Sequence, residues 1–227
     1  MVTVGVDVGG SGVRAALVYP DGSLGPICRR RLPNRSVQSV VDTIVEAIGQ
    51  VTSEQSPVDI GVGVPGFVHQ GRVIRSPNFP EWQDVPLSQA LSDRLGIAVG
   101  VENDANAATM GAWHLSSRPP HLILLTLGTG VGGGVISHGQ LLRGSSGTGA
   151  ELGHIYVGGE SCCRCGGRGC LETWCSTVGM VRRARERALD VADGRELIVL
   201  AEGGNSDALA VLEEAGQALV WPWYGEP

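Results

Sequence analysis

Residues 2–24, VTVGVDVGGSGVRAALVYPDGSL, and residues 121–142, HLILLTLGTGVGGGVISHGQLL, share one plan. Each sets out an apolar strand-length run, a glycine-rich loop, a second strand, a tight turn and the start of a third strand. Laid over one another, GGSG meets GTGVGG and the turn PDG meets SHG. A loop and a hairpin repeated together point to duplication. Two similar halves imply a cleft to which each contributes one glycine loop.

Working outward, the first half alternates strand and helix signals. VTVGVDV and VRAALVY are strands, and SVQSVVDTIVEAIGQV (36–51) has helical spacing of Val, Ile and Ala with Ser36 as N-cap. DIGVGVPG (59–66) and IAVGVEN (97–103) return to strand, and DANAATMGAWH (104–114) is a helix. The resulting βββαβαβα order places the chain among α/β layer folds. The expected organisation is an N-terminal α/β domain over 1–110 and a C-terminal α/β domain over 111–227. Helices over 170–190 and 207–220 fill the second.

Bulk properties narrow the functions. The chain has 227 residues, 42% hydrophobic and 18% charged, and a net charge of −6. Every cation is arginine. That balance gives no general attraction to nucleic acid. Arg29–Arg31 and the arginines between 182 and 187 are read as solvated faces. The opening MVTVGVDVGG lacks a basic leader, and LILLTLG is far short of the roughly 18 apolar residues of a membrane span. A cytoplasmic protein without membrane partners is expected, and there clustered cysteines suggest metal or redox chemistry.

Four of six cysteines fall within CCRCGGRGC, residues 162–170. Cys163, Cys165 and Cys170 form C-x-C-x4-C, and a closed tetrahedral zinc site needs a fourth ligand. His154 is the better candidate and Cys162 the alternative; thiolates with imidazole favour Zn2+. Cys28 and Cys175 are read as small buried hydrophobes. A four-ligand zinc is structural. By pinning the loop it directs Glu151, His154 and Glu172 into one pocket, an acceptor cluster that suits a polyol.

Both glycine loops are candidate phosphate cradles, since glycine lets backbone N–H groups approach an anion. The first is Gly9, Gly10, Ser11 and Gly12, the second Gly128, Thr129, Gly130 and Gly132. Plain hairpin turns are the competing explanation. Asp7, at the mouth of the first loop, is placed to hold Mg2+ through water or to hydrogen-bond the loop. Asp104 is a candidate base for a hydroxyl attacking phosphorus, with Asn103 orienting that hydroxyl; helix capping explains the same pair.

With DVGGSGVR, GVPG (63–66), SPNFPEW (76–82), ENDANAA (102–108), GTGVGGG, AELGH (150–154) and C-x-C-G-x2-G-C-L-E (163–172) together, the chain resembles the ROK family of sugar kinases and repressors. The resemblance implies an actin-like, ribonuclease-H-like ATPase fold with two similar α/β domains flanking a cleft. It implies transfer of the γ-phosphoryl of ATP to a hexose hydroxyl. Glucose is the first substrate expected, and N-acetylmannosamine or another hexose the alternative. Asp104 is then the catalytic base, and Asn103, Glu151, His154 and Glu172 contact the sugar. Gly66 and Asn78 line its site, while the two loops hold the phosphates of ATP with Mg2+. A homodimer is expected by family analogy.

There are departures. Gly12 stands where the family commonly has lysine, and Ser11 where it has threonine. The ending WPWYGEP does not resemble the family's continuation toward the adenosine. The C-terminal domain is therefore expected to be incomplete, through truncation or a reading-frame slip near residue 221. A sugar-binding remnant with little or no kinase activity is one competing reading. A sugar-sensing regulator is another, set aside because its DNA-binding module would precede a strand that starts at residue 2.

Overall fold

The computed structural model describes residues 2–53 and 56–224, with side chains through residue 220 at the C-terminal end. The chain divides into two compact units. The first comprises residues through Leu122 together with Val135–Gly149; the second comprises Ile123–Gly134 and the residues from Ala150 onward. This division lies elsewhere in sequence than the expected boundary near residue 110, because a segment after residue 134 returns to the first unit.

In the first unit a five-stranded sheet has the order β3-β2-β1-β4-β8. Its strands are β1 (Thr3–Gly9), β2 (Gly12–Val18), β3 (Cys28–Arg31), β4 (Asp59–Val64) and β8 (Val99–Asn103). The first three run antiparallel, while β4 and β8 join parallel to β1. Val4, Val6 and Val8 alternate along β1 and are buried together with Val13 and Ala15 of β2. Helix α1 (Val37–Val51) adds Val40, Val41, Ile44, Ala47 and Ile48 to that core.

The expected cap of α1 is present: the Ser36 side chain accepts a hydrogen bond from Ser39 N at 3.2 Å. Ser36→Ala is expected to cost about 1 kcal/mol of stability. Urea unfolding, which shifts its midpoint without changing its slope, checks this.

Between β4 and β8 lie a small sheet of β5 (Phe67–His69), β6 (Arg72–Arg75) and β7 (Gln83–Val85), and helix α2 (Leu87–Leu95). The helix implied by the βαβ order is α2; the three short strands were not read from the sequence. SPNFPEW contributes Phe79 and Trp82, both wholly buried and stacked with ring centroids 4.5 Å apart. Burial of each such ring stabilises by roughly 1.5–3 kcal/mol. The Trp82 indole N–H is satisfied by Arg35 O at 3.0 Å. Helix α3 (Asp104–Leu115) follows β8 directly.

The repeated segment forms a third sheet, β11-β10-β9, from β9 (His121–Leu127), β10 (Val131–Ser137) and β11 (Gln140–Leu141). Its order matches β3-β2-β1, so the two aligned stretches build the same strand neighbours. The turns differ. His138 and Gly139 both have positive φ and lead straight into β11, whereas of Pro20-Asp21-Gly22 only Gly22 does and β3 starts later.

In the second unit the helix expected over 170–190 is two helices, α4 (Leu171–Cys175) and α5 (Thr177–Glu186). Ser176 is extended, at φ −74° and ψ 153°, which ends α4, and its hydroxyl accepts from Gly179 N at 2.9 Å to cap α5. Helix α6 (Gly194–Glu202), not foreseen, is capped by Asp193, whose side chain accepts from Arg195 N and Glu196 N. Helix α7 (Ser206–Tyr224) covers the helix expected over 207–220. Residues 225–227 of the WPWYGEP ending, and the side chains of 221–224, lie outside the described residues. Among the described residues no helix is long and apolar enough to cross a membrane.

Candidate active site and metal centre

The C-terminal ends of β1, β4 and β8 lie side by side, a place where parallel sheets gather ligands. Asp7 on β1 is in register with Gly63 on β4, and Gly63 pairs with Glu102 on β8. A Cβ at Gly63 would sit 3.6 Å from Asp104 Cα, an ordinary contact distance, so the start of α3 lies directly beside β4. Asp104 is the first residue of α3. Its Oδ1 accepts from Ala105 N at 2.8 Å. Burial, aided by the nearby negative charge of Asp7, raises its pKa above the usual carboxylate range. A carboxylate so placed is a better proton acceptor than a solvated one.

Asn103 does two structural jobs here. Its Oδ1 accepts from Asn106 N at 3.0 Å, capping α3, and its Nδ2 donates to Gly66 O at 3.0 Å. Gly66 has φ +118°, and a Cβ there would fall 2.3 Å from Arg75 O, so glycine is required. Asn78 packs beside the first loop, its Nδ2 3.1 Å from where a Gly10 Cβ would stand. That loop is a two-residue turn, Gly10–Ser11, closed by the register pair Gly9 and Gly12. Gly12 lies against Arg30 O, where a Cβ would come within 2.7 Å. Asp7 also faces Arg14 across the strands, at 3.7 Å and with both side chains largely exposed.

Glu102 is a site residue to which the sequence assigned no role. Its Oε1 accepts from Asn103 N at 3.0 Å and from Asn106 Nδ2 at 3.2 Å, and its Oε2 accepts from Arg143 Nε at 2.6 Å. The corner that presents Asp104 is therefore held by a carboxylate bonded on both oxygens. Its place directly before Asn103 was the only signal available.

In the second unit, the ligand atoms of His154, Cys163, Cys165 and Cys170 all lie within 4.8 Å of one another. Cys163 Sγ is 3.5 Å from His154 Nδ1, and Cys165 Sγ is 3.6 Å from Cys170 Sγ. Tetrahedral Zn2+ with Zn–S bonds of about 2.3 Å separates its thiolates by about 3.8 Å, so the donor set fits. Burial, then hydrogen bonding with Cys165 and Cys163, pushes the Cys170 thiol up to about 12. A metal entering this group displaces thiol protons. Cys162 is exposed and outside the group, while Cys28 and Cys175 are buried.

The segments flanking these cysteines are fixed closely. A Cβ at Gly153 would lie 2.0 Å from Val131 O, so the 3-10 turn Leu152–His154 rests directly on β10. Glu151 precedes that turn, and its carbonyl accepts from His154 N at 3.0 Å. Glu172, on α4, accepts from Val131 N at 3.1 Å. The second glycine loop is closed by Gly128 N donating to Gly130 O, and joined to α5 by Thr177 N donating to Gly128 O at 2.8 Å. Gly132 lies on β10. Thr129 opens onto a cavity of about 700 Å³ lined also by Thr177, Val178, Val181, Arg182 and Asp193.

The structure thus brings Asp7, Gly9, Gly10, Ser11, Gly12, Gly66, Asn78, Asn103 and Asp104 into the first unit. It places Gly128, Thr129, Gly130, Gly132, Glu151, His154, Glu172 and the three cysteines in the second. The arginine clusters are engaged internally: Arg30 with Glu46 and Gln50, Arg183 and Arg187 with Glu214.

The glucokinase of Thermotoga maritima is 38% identical over 95% of this chain and 74% of its own length. A ROK family glucokinase from Streptomyces griseus, solved in complex with glucose and AMPPNP, superposes with a TM-score of 0.80 at 31% identity, covering 96% of this chain and 76% of that one. The ROK hexokinase of Thermus thermophilus gives a TM-score of 0.85 at 32% identity, covering 98% and 78%. The expected actin-like ATPase fold is that of these neighbours. Since the ROK family pattern itself matches residues 3–220, the chain belongs to the ROK family.

Proposed function

We propose that this protein is an ATP-dependent hexose kinase of glucokinase type. The observation that carries the reading is Asp104, the first residue of α3 at the sheet's C-terminal edge, a partly desolvated carboxylate of raised pKa. Asp104 accepts the proton of the sugar hydroxyl as its oxygen bonds to the γ-phosphorus of ATP and the bond to ADP breaks. Asn103, pinned to Gly66, keeps the base in place. The glycine loops contribute backbone N–H groups to the phosphates, and such transfer depends mainly on positioning and charge neutralisation.

Mg2+ fits at Asp7, where one carboxylate and retained waters suit its coordination and where it would offset phosphate charge. Zn2+ fits His154, Cys163, Cys165 and Cys170 and would fix the loop beside Glu172. Glu151, His154 and Glu172 are the proposed sugar contacts in the second unit, and Gly66, Asn78 and Asn103 those in the first. A cytoplasmic homodimer completes the reading.

The test is to mix the protein with ATP, Mg2+ and a panel of glucose, mannose and N-acetylmannosamine, and to measure ADP. Sugar-dependent ADP release is expected, greatest with glucose. Sugar binding without ADP release would instead make the chain a binding protein with little turnover.

A further inference from the structure

We propose that Glu172 couples the sugar site to the nucleotide loop, so that sugar binding raises nucleotide affinity. The inference rests on the kinase reading above and adds its regulation. Glu172 stands two residues after the metal-site cysteine Cys170, and its carboxylate reaches in two directions. Oε1 lies 3.8 Å from Cys163 Sγ, within the metal cluster. Oε2 accepts from Val131 N at 3.1 Å, at the end of the second glycine loop.

Three features make that second contact more than a tether. The Val131 N–H belongs to the loop assigned to phosphate, and Glu172 occupies it. Gly130 has no side chain where a Cβ would fall 2.6 Å from Oε2, so the carboxylate fills the space a side chain would take. The Val131 carbonyl, in the next peptide unit, is meanwhile packed against Gly153, which holds the residue in place on that side. A sugar hydroxyl that draws the carboxylate toward itself releases the Val131 N–H to a phosphate oxygen. By linkage, nucleotide binding then favours sugar by the same factor.

Isothermal titration of the zinc-loaded protein measures the coupling with glucose and AMPPNP–Mg2+. The affinity for AMPPNP is expected to rise about tenfold at saturating glucose, the effect of one hydrogen bond to a charged group. In Gly130→Ala the new methyl meets only the flexible end of Glu172, so the chain folds but the carboxylate is displaced. Glucose affinity without nucleotide is expected to fall about tenfold in this variant, and the coupling factor to approach one.

Glu172→Ala provides a readout that misfolding does not imitate. With Val131 N–H permanently free, AMPPNP affinity in the absence of sugar is expected to increase about tenfold. Glu172→Gln, which keeps an acceptor for that N–H, is expected to leave the sugar-free AMPPNP affinity close to its wild-type value while weakening glucose binding. Equal AMPPNP affinity with and without glucose in the wild type would overturn the proposal, as would unchanged or weaker AMPPNP binding by Glu172→Ala. An equal gain in the Gln and Ala variants would also overturn it, by assigning the effect to charge alone. If no sugar of the panel binds the wild type, the kinase reading fails instead, and the Glu172→Ala measurement still decides whether the N–H is withheld.

Discussion

Asp104→Asn is expected to lower kcat by about 10²–10⁴-fold, with sugar and ATP affinity near wild type. Asparagine retains an oxygen for Ala105 N, so the start of α3 is preserved and the loss reports proton transfer alone. Wild-type kcat/KM should decline in acid along a limb displaced upward from an ordinary aspartate, because burial and then Asp7 raise the pKa of Asp104. Residual turnover of the variant should lack that limb. Stability should move the other way. A carboxyl whose folded pKa is raised binds its proton more tightly when folded, so its stabilising effect is lost as pH rises through the folded pKa. At neutral pH the neutral amide removes that penalty, and the variant should melt at a slightly higher temperature. Full turnover by Asp104→Asn would exclude Asp104 as the base.

Cys170→Ser is expected to abolish stoichiometric zinc and most sugar binding. A site occupied at about a thousand times its Kd stabilises the folded protein by about 4 kcal/mol, and the variant should lose stability of that order. Elemental analysis, thermal melting with and without chelator, and glucose titration check the three parts. The coupling to sugar is structural: Cys170 leads directly into α4, Glu172 sits on its first turn, and His154 ends the turn seated on β10. Purified protein without zinc that binds glucose undiminished would refute the assignment.

Much of this was legible in the chain itself, for identifiable reasons. The repeated strand–loop–strand segments form matching sheets because long apolar runs flanked by glycine loops have few other folds available. Ser36 caps α1 as its position suggested. The strands β5–β7 are only three or four residues long and depend on pairing partners rather than on their own pattern. The break at Ser176 has no proline to announce it; it follows from a serine preferring to cap the next helix over continuing the last. Helix α6 did carry a signal, D-G-R-E, which is the start pattern of a capped helix. Glu102 with Arg143 and Glu172 with Val131 each join residues 41 apart, and no local spacing reveals such pairs.

The first unit is discontinuous, and this bears on the order in which a ribosome-bound chain matures. Its closing segment includes Arg143, so the ion pair that locks the Asp104 corner waits until that residue has left the exit tunnel. By then strands that belong to the other unit have already been synthesised. The first unit cannot be finished before the second has begun, and a nascent chain that has emerged only through residue 122 would hold all five strands of the first sheet with the Asp104 corner unlocked.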